Sequence, residues 1–142
     1  MAGLVINKPT RTKLQKIFQV KGFKTINISD LVYSGGPVNQ GNIIMMHTNE
    51  WKCKNTLPLA NGISITSDPQ MLKKMHEQDQ PQAWRVFSGL SIWSPGQLEG
   101  EINSKCWMTA IPTPELSLET PTTQIYEKAI EICSKQIIDK YI

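Results

Sequence analysis

The apolar positions of this chain come in short runs whose spacing switches between strand and helix periods. Gly3–Asn7 (GLVIN) is a nearly continuous apolar run closed by Lys8 and Pro9, which predicts a buried strand ending in a turn. From Thr10 to Phe18, Leu14, Ile17 and Phe18 fall on one helical face, with Lys13 and Lys16 elsewhere and Gly22 as a C-terminal stop. Tyr33–Val38 reads as a turn in which Gly35 and Gly36 permit left-handed angles or the close approach of another segment. Asn42–His47 predicts a core strand, and Ile63–Thr66 alternates like a half-buried one.

Ser67-Asp68-Pro69 predicts a helix opened by a side-chain cap, with proline at its first position and Met71, Leu72 and Met75 inward. Trp84–Leu90 reads as a strand. Trp93–Leu98 then predicts a helix start: Ser94 caps, Pro95 takes the first helical position, and Gln97 returns a capping-box bond. Trp93 and Leu98 would form the hydrophobic staple, Leu98 and Ile102 would face inward, and Glu99 and Glu101 would sit where the helix dipole favours acids. Trp107–Ile111 predicts a further strand ended by Pro112-Thr113-Pro114. Thr120-Pro121 opens a last helix with Ile125, Ala129 and Ile132 at helical spacing, and 135–142 either extends it as an amphipathic tail or frays. No repeat or low-complexity linker interrupts this order, so residues 1–142 are expected to form one domain.

Composition changes that picture little. A chain of 142 residues with 39% hydrophobic and 19% charged positions is ordinary for one folded domain with its own core. The net charge of +3 is far below the footprint of a dedicated nucleic-acid binder. Its distribution is uneven, however. Residues 1–24 hold Lys8, Arg11, Lys13, Lys16, Lys21 and Lys24 without one acid. A solvated face and an anion-facing surface, for RNA, DNA or an acidic protein, both fit this segment.

Cys53, Cys106 and Cys133 are widely spaced without a CxxC pair, which reads as reduced thiols in the cytosol. No apolar run approaches the roughly 18 residues of a membrane span, and the opening residues lack a secretory pattern.

Candidate chemistry is sparse. Ser91 follows Gly89 and Leu90, but Trp93 stands where a nucleophile elbow needs its second glycine. His47 and His76 are the only imidazoles; neither has a metal-spaced partner, so no metal or cofactor is expected, and His47 reads as a satisfied structural histidine. Glu99 and Glu101, two apart on a helix, point to different faces. Cys106 beside Lys105 and Trp107 reads as a core cysteine, with a reactive thiol as the alternative. Ser34-Gly35-Gly36 has the makings of an anion-binding backbone nest but lacks the lysine and spacing of a P-loop.

Taken in order, GLVINKP (Gly3–Pro9), GGPV (Gly35–Val38), His47-Thr48, GISIT (Gly62–Thr66) and GLSIWSPGQLEGEI (Gly89–Ile102) followed by Trp107 resemble the bacterial YqgE/AlgH family over nearly the whole chain. The resemblance implies an α+β fold with a central, strongly bent sheet surrounded by helices, in a cytosolic bacterial protein. It also brings the family's label of transcriptional regulator, although no helix-turn-helix pattern is visible here. Members of the family usually carry a further N-terminal segment resembling strands of the same sheet. The expectation is therefore a domain lacking those strands, with an exposed sheet edge inviting self-association.

Three functions remain open from sequence. One is a non-enzymatic binding or regulatory domain for a protein or small-molecule partner. It would use Ser34, Gly35, Gly36 and Pro37, the run Trp93, Ser94, Pro95, Gly96 and Gln97, and His47. Another is an enzyme or redox-linked protein of unfamiliar type acting through Cys106 or His47. The third is nucleic-acid binding through Lys8, Arg11, Lys13 and Lys16. No membrane partner is expected.

Overall fold

The computed structural model describes residues 1–24 and 28–141. Its elements run β1 (Ala2–Gly3), β2 (Pro9–Lys13), α1 (Leu14–Val20), β3 (Leu31–Ser34), β4 (Val38–Thr48), β5 (Thr56–Pro58), β6 (Ile63–Thr66), α2 (Gln70–His76), β7 (Trp84–Ile92), α3 (Gln97–Asn103), a π-helical turn (Glu115–Glu119) and α4 (Thr122–Tyr141). Among the described residues, seven strands form an open mixed sheet in the order β2-β3-β7-β4-β6-β5, with β1 added to β7. The fold is α+β.

The long antiparallel pair β4 and β7 organises everything else. Met45 lies opposite Val86 and Ile44 opposite Phe87, so successive residues feed opposite faces. On one face Met45 and Val86 pack with Leu14 and Phe18 of α1 and with Met71, Leu72 and Met75 of α2. On the other, Met46 and Phe87 pack with Ile63 and with Leu118 of the π turn. Strands covered on both sides read as nearly continuous apolar runs, which is why both were legible.

The strand expected over Gly3–Asn7 is shorter than its apolar pattern. Only Ala2 and Gly3 pair with β7; the chain then leaves the ladder, Val5 is exposed, and Leu4 lies over Gly35. The expected helix start at Thr10 is also displaced. Thr10–Lys13 is extended and pairs with β3, the Thr10 hydroxyl donating to the Val32 carbonyl at 2.6 Å, so α1 begins at Leu14. Gly22 does end it: at φ +84°, its N–H and that of Phe23 return to the carbonyls of Gln19 and Phe18. Asp68 caps α2 as expected, accepting the Gln70 N–H at 3.0 Å.

The outer strands of the main path are β2 and β5. Pro9, Arg11 and Lys13 on the first, and the three-residue length and Pro58 of the second, all disfavour edge-to-edge pairing there. The last helix follows Pro121 as expected and continues to Tyr141; Ile142 lies outside the described residues.

Candidate functional site

The Gly-Gly-Pro turn is a backbone clasp. Gly35 and Gly36 are buried against the end of β7. A methyl group on Gly35 would overlap the Gly89 carbonyl, and one on Gly36 would overlap the Leu90 peptide. The Gly35 N–H donates to Ser88 O at 3.0 Å, and Gly35 O accepts from the Val5 N–H at 2.9 Å. The N–H that an anion nest would need is thus engaged within the protein. Pro37 is exposed beside it, while Ser34 is half-buried and its N–H is taken by the Lys8 carbonyl.

His47 lies at the buried end of β4 with no exposed surface. Its Nδ1 is 2.7 Å from the Thr48 carbonyl and its Nε2 is 2.8 Å from the Thr66 hydroxyl. A carbonyl can only accept, so Nδ1 carries the proton and Nε2 accepts from Thr66. That choice orients a whole string. The Cys53 N–H donates to Thr56 Oγ1, Thr56 donates to Thr66, and Thr66 donates to His47. Burial is the largest influence on the imidazole and lowers its pKa below 6.5, against the opposing effects of the Thr48 carbonyl and Glu50. The edge contact with Trp51, at 5.1 Å, closes the remaining side.

Protonating Nε2 would set a donor against the Thr66 hydroxyl and force the Thr66 and Thr56 hydroxyls to turn, while the Cys53 N–H can only go on donating. The neutral form therefore belongs to the folded state. Because the folded pKa lies below the unfolded value, this stability is fully present above pH 6.5 and is lost as pH falls from there through the folded value. Urea unfolding at pH 7.5 and 5.5 will show the protein weaker at the lower pH, and His47→Gln will flatten that difference. An identical wild-type free energy at both values would refute the assignment.

The run from Trp93 departs from expectation in an informative way. Ser94 does not cap a helix, and Pro95 is not its first residue. The Gln97 N–H donates to Ser94 O at 3.0 Å while Gly96 adopts φ 78°, ψ −10°, so Ser94–Gln97 is a type II turn and α3 starts after it. Proline followed by glycine suits that turn as well as it suits a helix start, and tertiary context decided between them. Half of the expected capping box survives, with Gln97 Oε1 accepting the Ser94 N–H at 3.0 Å.

Beyond it runs a relay that sequence reading missed. Gln97 Nε2 donates to Glu101 Oε1 at 3.1 Å, and Trp107 Nε1 donates to Glu101 Oε2 at 2.7 Å. Glu101 thus orients an indole; the four-residue spacing from Gln97 was the available signal. Trp107 meets Trp93 edge to face at 6.1 Å, and Trp93 itself lies across Gly3. The strand expected over Trp107–Ile111 does not form: this stretch pairs with no described strand and leaves Trp107, Met108 and Ile111 exposed. Ile92 and Ile102 are exposed as well, which corrects the inward placement of Ile102. Leu98 is half-buried, and α3 has no fully buried residue.

The basic segment divides. Arg11, Lys13 and Lys16 line one cleft with Thr12, Gln15 and Gln19, whereas Lys8 is not among its walls. A second cleft, of about 420 Å³, was not foreseen. It lies where Lys21 and Phe23 meet the irregular part of β4 at Gly41 and Asn42 and the α2 cap at Asp68 and Pro69. Its walls come from three distant segments, which no local pattern announces.

Cys106 is exposed, which corrects its reading as a core cysteine; Cys133 is the buried one, and burial raises the thiol pKa of the half-buried Cys53. Among the described residues, no group of three or more His, Cys, Asp or Glu converges as metal ligands would. No helix among them is long and apolar enough to cross a membrane.

Fold and surface together define an α+β domain with an open mixed sheet, a glycine clasp at its centre and an exposed aromatic corner. The family model described as AlgH-like matches residues 1–137, and the chain belongs to that family. It is similar to bacterial UPF0301 proteins. The one from Proteus mirabilis is 31% identical, with 92% of this chain and 73% of the relative covered. The one from a Polaromonas species is 32% identical, covering 94% and 73%. The solution structure of the AlgH protein from Pseudomonas aeruginosa superposes with a TM-score of 0.77 at 24% identity, over 92% of this chain and 71% of that one, and shows the shared fold. The names of these relatives state no reaction, ligand or partner.

Proposed function

We propose that this chain is a binding domain that docks a partner protein through the corner formed by Trp93 and Trp107, without making or breaking covalent bonds. The observation that carries this reading is the relay holding Trp107: its indole is pinned by Glu101 and Trp93, yet 48% of its surface stays open. Exposed aromatic rings in a fixed orientation are the anchors of protein interfaces, because little conformational freedom is lost when they bind. Ile92, Met108 and Ile111 supply apolar surface on the adjoining segments. The side chain with the most versatile chemistry, His47, has both nitrogens engaged internally, which supports a role without catalysis. On this reading the regulatory role in the family label acts through protein contact.

The test compares capture from bacterial lysate by the wild type, Trp107→Ala and Glu101→Gln. Capture will survive nuclease treatment and 0.5 M salt, be lost in Trp107→Ala, and be weakened by about tenfold in Glu101→Gln, equal to about 1.4 kcal/mol. Thermal unfolding of both variants will stay close to wild type, since Trp107 covers no core residue. Capture abolished by nuclease, or unchanged in Trp107→Ala, would refute the proposal.

A further inference from the structure

The geometry points to the cleft where β2 turns into α1 as a binding site for a compact oligophosphate group, pyrophosphate-sized or longer, free or at the end of a nucleotide. Arg11 and Lys13 lie on β2 where its pairing with β3 shifts register between Pro9 and Lys13, and both line this cleft. The helix that follows without a linker brings Lys16 to the same cleft, of about 430 Å³, within the range of small-ligand sites. Thr12, Gln15 and Gln19 complete the lining with neutral hydrogen-bonding groups, and no carboxylate takes part. None of the three cationic side chains forms an ion pair or hydrogen bond with a described residue.

Converging cations without a counter-charge repel one another and set up a field that selects an anion from solution. The guanidinium of Arg11 matches a phosphate in bidentate fashion, and the two ammonium groups act as mobile point charges around it. Protection of a sheet edge accounts for Arg11 and Lys13, which lie on the outer strand β2. It does not account for Lys16, Gln15 and Gln19, which belong to α1. A polymeric nucleic acid fits less well. The lining comes from a single strand-helix corner and contains no aromatic ring on which a base would stack, and Lys8 and Lys21 lie outside it.

The test uses the full chain and sodium tripolyphosphate as the probe, in low-salt buffer, followed by amide chemical shifts and titration calorimetry. Binding will move the amides of residues 10–19 and weaken as salt is raised. Arg11→Gln, Lys13→Gln and Lys16→Gln will each lower affinity by about tenfold, while Lys21→Gln leaves it unchanged. All four positions are exposed, so the variants keep the wild-type fold. Absence of binding at millimolar probe, an equal loss in Lys21→Gln, or equally tight binding of inorganic sulfate would overturn the assignment. So would a single-stranded oligonucleotide that binds through these residues where tripolyphosphate does not.

Discussion

Gly36→Ala will destabilise the protein by about 3 kcal/mol or more, and Gly89→Ala will do the same. Gly36 has a φ of +152° and Gly89 of +78°, both in the range where a side chain is strained. Strain is only part of the cost. A methyl group on Gly36 would meet the Leu90 carbonyl and the Ser91 amide, and one on Gly89 would meet the Gly36 carbonyl. These are backbone atoms that cannot rotate away, so the turn between β3 and β4 must move off β7. Gly22 provides the control, because it has φ +84° but a methyl group added there would find nothing within 4 Å. Gly22→Ala should cost only about 1 kcal/mol, the penalty of the left-handed conformation alone. Urea unfolding of the three variants measures the difference. If Gly36→Ala loses no more than Gly22→Ala, the clasp is not the close backbone contact described here.

Arg85→Met will release the π turn and α4 from the sheet while the β4–β7 core stays folded. Arg85 is only 8% exposed, and its guanidinium donates to the carbonyls of Ser117 and Thr120, at the two ends of the last buried turn before α4. Tyr33 covers its face, with the guanidinium carbon 5.5 Å from the ring centroid. Its charge is therefore satisfied by carbonyl dipoles and a ring. Removing it leaves two carbonyls short of donors at a place where desolvation makes each loss cost about 1–3 kcal/mol. Arg85→Lys will not rescue, because a single ammonium lacks the fork that reaches both carbonyls. Hydrogen exchange reads the outcome: amides of 122–133 will lose protection well before those of β4 and β7. Loss of protection in both regions together would show that Arg85 serves global stability instead of docking this one segment.

Much of the fold was legible because particular residues permit only one arrangement. The alternating and continuous apolar runs at Asn42–His47, Ile63–Thr66 and Trp84–Leu90 lie within strands, since strands buried on one or both faces leave those marks. Asp68-Pro69 opened α2 and Gly22 closed α1 because caps are local events. The errors fall where local chemistry suits two structures. Ser94-Pro95-Gly96-Gln97 satisfies both a helix start and a type II turn, and Thr10–Lys13 became a strand because β3 offered it a partner. Trp107–Ile111 has strand composition, but no described sheet edge receives it.

By itself, the sequence determined the α+β class, the membership of the AlgH-like family and the positions of the central strands and most helices. Each of these rests on spacing within a short window or on motifs long enough to exclude chance. Only the tertiary structure decided that the paired glycines clasp Gly89 and Leu90, that Glu101 pins Trp107, and that Arg11, Lys13 and Lys16 share one cleft. Those relations join segments or side chains whose meeting depends on how the sheet twists and where each helix leaves it. No periodicity along the chain encodes such a distance.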